Sequence, residues 1–256
     1  MSTPWSTIVW CRSGEELSRA AADFVAALLS RKPDAAIALP TGQTPLGMYV
    51  ELVARVAANR LSAARARFFN LDDYIGLPAD HSLSYARFLR EHFLTPAGVP
   101  ETQIRLLHGD ATDVEAECHD YEAATAASGG LDLVILGLGP NGHIAFNEPG
   151  SDWSAKTHVV ALSPETRAMH ATQTQSRFAI PEFGITLGVS TLLAARQILL
   201  VVAGSAKAGA LAAFRRGNPD PKWPVTALLT HRHLTVLAEA KLESAAVADA
   251  MTRANL

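Results

Sequence analysis

The segment Leu131–Gly137, LDLVILG, constrains the fold more than any other part of the chain. Apolar residues fill both of its alternating faces, so a strand made from it needs cover on each side, as a central strand of a parallel sheet has. Further runs at Thr7–Cys11, Ala35–Leu39, Arg67–Leu71, Ile104–His108, Gln197–Ala203 and Leu234–Ala238 read as its neighbours. Helical patterns separate them. Ser13 and Glu16 form a capping-box pattern ahead of Leu17, Ala21, Phe24 and Leu28, and Thr44 as N-cap with Pro45 at the first helical position opens a helix to about Asn59. Ser84–Phe93, Asp113–Ala127 ending at Gly129-Gly130, Lys207–Arg216 and Ala240–Asn255 complete the series. This alternation predicts an α/β fold: one doubly wound, mostly parallel sheet with helices on both faces, Rossmann-like, in a single domain over residues 1–256. Two irregular stretches, Gly150–Phe183 and Gly217–Pro224, interrupt it, and the first holds a lid expected at about 163–184.

Composition narrows the function classes. With 22 basic and 25 acidic residues spread along 256 positions and a net charge of -3, no face is basic enough to hold a nucleic-acid backbone. Cys11 and Cys118 stand apart without metal-ligand spacing, which predicts two buried, reduced thiols and neither a disulfide framework nor a zinc site. The start of the chain has no basic region before its apolar run, and no apolar run is long enough to span a bilayer. The expectation is a soluble, cytoplasmic protein without a nucleic-acid or membrane partner. The sequence leaves a homo-oligomer open.

In an open parallel sheet, ligands gather beyond the carboxyl ends of the strands. Four polar or glycine-rich segments fall there: Pro40-Thr41-Gly42-Gln43-Thr44, Asp72-Asp73-Tyr74, Gly139-Pro140-Asn141-Gly142-His143 and Gly204-Ser205-Ala206-Lys207. The first and last place small residues at a helix start, where unpaired N–H groups favour an anion, and the last adds a cation. Neither has P-loop spacing, so a phosphorylated small molecule is indicated rather than a nucleoside triphosphate. Of the paired acids, one can face the cleft while the other caps the scaffold. His143 can serve as acid or base near neutrality; Asn141 and Glu148 lie close in sequence, and a carboxylate paired to the histidine would hold its tautomer and raise its basicity. Asp72, His143 and Glu148 could also bind a metal, but no HxxxH or HExxH spacing supports one, and no GxSxG elbow supports a serine hydrolase.

ALPTGQTPLGMY (38–49), FNLDDYIGLPADHSLSY (69–85), LDLVILGLGPNGHIAFNEPGS (131–151) and ITLGVSTLL (185–193) closely resemble the glucosamine-6-phosphate deaminase family. The likeness runs from about residue 36 to 239. The related 6-phosphogluconolactonases share the GHIA-type loop but not its FNEP continuation. The resemblance implies a cofactor-free isomerisation and deamination of a hexosamine 6-phosphate. It makes Asp72 the base between C2 and C1, His143 the ring-opening residue, and Glu148 and Asn141 its assistants. Thr41, Gly42, Thr44, Asp73, Tyr85, Gly142 and Lys207 become substrate-binding positions. Three departures stand out: Asn141 where many members carry Asp, His158 and Val160 where regulated members carry basic residues, and a changed lid in which Arg177, then Arg167, is the candidate phosphate-binding arginine. The alternatives are the same chemistry on galactosamine 6-phosphate, a sugar-lactone hydrolase, and a sugar-phosphate sensor without turnover.

Overall fold

The structure, a computed structural model, describes residues 8–174 and 178–243. Its main sheet has seven parallel strands: β1 (Ile8–Cys11), β2 (Ala36–Leu39), β3 (Arg67–Asn70), β5 (Ile104–Arg105), β6 (Leu133–Leu136), β9 (Ile198–Val202) and β10 (Leu234–Glu239). Their spatial order is β1-β10-β9-β6-β2-β3-β5. From β2 the chain steps outward to β3 and β5, then returns to β6 on the other side of β2 and steps away to β9 and β10. The switch point therefore lies between β2 and β6.

The alternation along these strands explains the double winding. Ile37 and Leu39 of β2, Leu133 and Ile135 of β6 and Leu199 and Val201 of β9 face one core with α1 (Gly14–Arg31), α2 (Leu46–Ala57) and α3 (Tyr85–Leu89). Ala36, Ala38, Val134, Leu136, Ile198, Leu200 and Val202 face the other. There α4 (Val114–Ala127) contributes Cys118 and Tyr121, α6 (Val189–Leu193) contributes Leu192, and α7 (Ala208–Arg215) contributes Leu211 and Phe214. Both strand faces are buried, as Leu131–Gly137 predicts. Cys11 and Cys118 are free and buried on opposite faces.

Three helix starts follow local capping chemistry, and the one expected at Thr44 does not. Ser13 accepts from the Glu16 N–H, Ser84 from Arg87 and Asp113 from Ala116. Glu16 completes only half a capping box, because its carboxylate takes the N–H of Arg12 instead. Thr44 does not cap α2: Pro45 occupies the cap position in αR conformation, with no side-chain cap bond. The strand expected at Ile104–His108 shortens to two residues, and α3 runs on into a π-helical turn at Arg90–Leu94. Most of the helix expected at Ala240–Asn255 lies outside the described residues.

A second sheet, absent from the sequence reading, packs beyond the carboxyl edge of the first. It joins β4 (Asp72–Tyr74), β8 (Phe183–Thr186) and β7 (His158–Ala161) in antiparallel order β4-β8-β7. Asp72-Asp73-Tyr74 is thus strand rather than loop, with one residue, Leu71, between it and β3. The stretch expected to be irregular up to Phe183 holds β7 and also α5 (Pro164–Thr174).

Candidate active site

At the switch point a cleft of about 270 Å³ opens at the carboxyl edge. Thr41, Gly42 and Thr44 after β2, Asp72 on β4, Tyr85 on α3, Gly139 and His143 after β6 and Lys207 after β9 all line it. Seven of the residues named from the sequence meet there: Thr41, Gly42, Thr44, Asp72, Tyr85, His143 and Lys207. Asp73, Asn141, Gly142 and Glu148 do not line the cleft, and Arg177 lies outside the described residues.

Asp72 is held by register and by its backbone. It sits opposite Thr186, and its carbonyl accepts a 2.8 Å bond from the Asn70 side chain. Asn70, itself fully buried, is locked by bonds from the Leu107 N–H and the Tyr121 hydroxyl. Among the described residues no hydrogen bond reaches the Asp72 carboxyl. Burial, with the charge of Asp73 adding to it, pushes that carboxyl well above the ordinary carboxylate range. Asp73 is the scaffold member of the pair: its two oxygens accept from the Tyr74, Tyr85 and Ala86 N–H groups and from the Ser84 hydroxyl. It anchors the start of α3 and so places Tyr85.

His143 is seated by packing. A Cβ added at Gly139 would lie 2.4 Å from its ring atoms, so the ring occupies the space that a side chain there would fill. Asn141 accepts a 3.2 Å bond from the His143 backbone N–H, which shapes the turn and not the ring. Gly142, at φ 85°, packs against Trp223 and accepts from the Val225 N–H through its carbonyl. Glu148 makes no hydrogen bond to His143 among the described residues. Ala145, with φ 49°, and the bridge between Ile144 and Asn147 turn the chain, and the Glu148 carboxylate instead accepts from the Ser163 N–H at the start of α5. The Nδ1 atom of His143 is buried without a partner among the described residues. Burial first, then His170 and Lys207, push its pKa down to about 3. The raised basicity expected from a paired carboxylate is therefore replaced by its opposite, a histidine neutral at pH 7.

Two of the lining loops, after β2 and after β9, are held by hydrogen bonds to their backbones. Tyr49 ties the first by donating a 2.5 Å hydrogen bond to the Pro40 carbonyl, and the backbone N–H groups of Thr41–Thr44 make no hydrogen bond among the described residues. The second is fixed by Glu239 at the end of β10, which accepts a 2.7 Å bond from the Gly204 N–H. Lys207 is the one cation among the described residues lining the cleft, and burial lowers its pKa to about 8. Arg167 does not line the cleft and pairs with Glu182 at 3.4 Å.

Sequence reasoning missed His170. It is buried, lines the cleft from α5, and meets the His143 ring edge-on with centroids 6.4 Å apart. Nothing local in ETRAMHATQ marks it.

Fold and cleft together make this an open parallel α/β protein with a polar cleft at its switch point, lined by a buried carboxyl, a buried imidazole and a lysine. The family model for glucosamine-6-phosphate isomerases/6-phosphogluconolactonase matches residues 12–237, and the chain belongs to that family. A glucosamine-6-phosphate deaminase of Geobacillus sp. is 42% identical over 225 residues, covering 88% of this chain and 90% of the relative. Glucosamine-6-phosphate deaminase 1 of Bacillus subtilis is 36% identical, covering 93% and 98%. Among solved structures, a monomeric glucosamine-6-phosphate deaminase superposes with a TM-score of 0.89 at 36% identity, covering 93% of this chain and 99% of that one. The 6-phosphogluconolactonase of Trypanosoma brucei, at 21% identity and TM-score 0.76, shares the fold.

Proposed function

We propose that the protein converts glucosamine 6-phosphate and water to fructose 6-phosphate and ammonia, in amino-sugar catabolism in the cytoplasm. The observation that carries this reading is the cleft pairing of Asp72, a carboxyl with no hydrogen-bond partner among the described residues, with the neutral His143. Aldose–ketose transfer needs one proton carrier for the ring oxygens and another for the carbon acid. Neutral His143 can take the O1 proton and return one at O5 as the ring opens. Asp72, ionised, then removes the C2 proton and delivers it to C1. As O1 takes up one proton given up by the C2 ammonium, the product of that transfer carries an iminium at C2, which water hydrolyses to the ketone with release of ammonia. Lys207 and the N–H groups of Thr41–Thr44 hold the phosphate, and a bound dianion raises the lysine's pKa back toward its ordinary value. The FNEP loop and relatives up to 42% identical favour deamination over lactone hydrolysis.

The purified protein incubated with glucosamine 6-phosphate is expected to release ammonia and fructose 6-phosphate in equal amounts. Acid release from a sugar lactone without ammonia would make it a lactonase, and binding without turnover a sensor. The changed segment after β7, with His170 in the cleft, favours one second reading, galactosamine 6-phosphate as the better epimer. Comparing kcat/KM for the two sugars decides between them.

A further inference from the structure

Helix α5 is joined to the cleft in an unusual way. Of its side chains from Pro164 to Thr172, only Thr166 and His170 are buried, and both are polar. Apolar burial therefore gives this helix little purchase, and specific polar contacts carry more of its docking. At its start Ser163 accepts from the Thr166 N–H, and the Ser163 N–H donates to Glu148. One turn further on, His170 Nδ1 lies 2.7 Å from the Tyr74 hydroxyl. That hydroxyl also meets the Tyr85 hydroxyl at 3.2 Å, and Tyr85 lines the cleft.

Tyr74 is a rigid anchor. It is fully buried on β4, two residues beyond Asp72, its N–H is bound by Asp73, and its ring packs against Tyr85 and Phe146. The other side of His170 serves His143. With Gly139 beneath it and no hydrogen bond at Nδ1 among the described residues, the His143 ring has its orientation set by what packs on it, and the edge of His170 is one of those surfaces.

From this geometry we infer that His170 is a positioning residue of the reaction: through Tyr74 it fixes α5 to the strand that carries Asp72, and so holds His143 and Asp72 in one arrangement. The inference rests on the deaminase reading for its consequence but not for its mechanism, because the His170–Tyr74 link exists without substrate. Substrate protons are still moved by Asp72 and His143.

The discriminating pair is His170→Asn and His170→Gln. An Asn amide reaches the position of Nδ1 and can keep the Tyr74 bond, whereas a Gln amide reaches toward Nε2 and loses it. A merely space-filling role would treat the two alike. The expected result is His170→Asn within about threefold of wild type in kcat/KM, with His170→Gln and Tyr74→Phe each roughly 10- to 100-fold lower, mostly in kcat. The double variant His170→Gln/Tyr74→Phe is no worse than its weaker parent, because one bond is removed twice. Amide hydrogen exchange of α5 without substrate is the second readout, faster in the Gln and Phe variants and unchanged in the Asn variant. Equal behaviour of the Asn and Gln variants in both readouts, or additive losses in the double variant, overturns the inference. Absence of turnover in wild type refutes the deaminase reading instead, and exchange still decides the link.

Discussion

Gly139→Ala isolates the seat of His143. The added Cβ would lie 2.4 Å from three ring atoms, while ordinary contact begins near 3.4 Å. The Gly139 backbone has no positive φ, so alanine brings no backbone strain, and the ring must yield by about 1 Å. A displacement of that size at a reacting group costs on the order of 100-fold in rate, about 2.7 kcal/mol of barrier. Crowding costs roughly 1–3 kcal/mol of stability, a fall in Tm of roughly 2–10 °C in a chain of this length. The assay pairs ammonia release with a thermal melt, using Gly14→Ala as control, since a Cβ there meets only Glu239 at 3.7 Å. The expected outcome is a folded protein with kcat near one hundredth of wild type. A folded Gly139→Ala variant retaining a third or more of the activity would refute packing as what orients His143.

Titration of the cleft supplies further tests. Asp72 must be ionised to act as base, and its pKa is raised, so kcat/KM should fall with decreasing pH through a value above the ordinary carboxylate range; an acid limb near pH 4 would contradict this. The same raised pKa means that the folded state binds this proton more tightly than the unfolded chain, so stability declines as pH rises through the interval between the two values. Asp72→Asn should therefore melt higher than wild type at pH 7, and a lower Tm would argue against the burial cost. Lys207, near 8, should let KM for the sugar phosphate rise as pH climbs through that value, and Lys207→Met should raise KM at pH 7 and flatten the rise. An unchanged KM in that variant would remove Lys207 from the phosphate site.

What the sequence disclosed, and what it hid, follows from how local each signal is. The central strands were legible because residues such as Val134 and Ile135 are apolar on both faces, and Ser13, Ser84 and Asp113 cap within a few residues of themselves. The small sheet was not. β4 is three residues long with two acids, one residue past β3, and it exists because Phe183–Thr186, over a hundred positions away, pairs with it. Of the cleft, the residues directly after β2, β6 and β9 were readable from strand ends alone. Glu148 was named for its nearness to His143 in sequence, and the contact it makes, accepting from the Ser163 N–H at the start of α5, is a tertiary one that spacing does not announce. Asp73 carried the same signal as Asp72, and only the N–H groups at the start of α3 separate their roles. His170 reaches the cleft through the docking of α5, a tertiary fact without a local mark.

The central claim is that Asp72 moves the proton between C2 and C1. Asp72→Asn keeps the shape and removes the base, so turnover and binding can be measured on the same protein with glucosamine 6-phosphate. Ammonia release should fall by a factor of roughly 1,000 or more, within the range that general-base catalysis supplies, with substrate binding retained to within a few fold. An Asp72→Asn protein that still releases ammonia at a rate near that of wild type would contradict it.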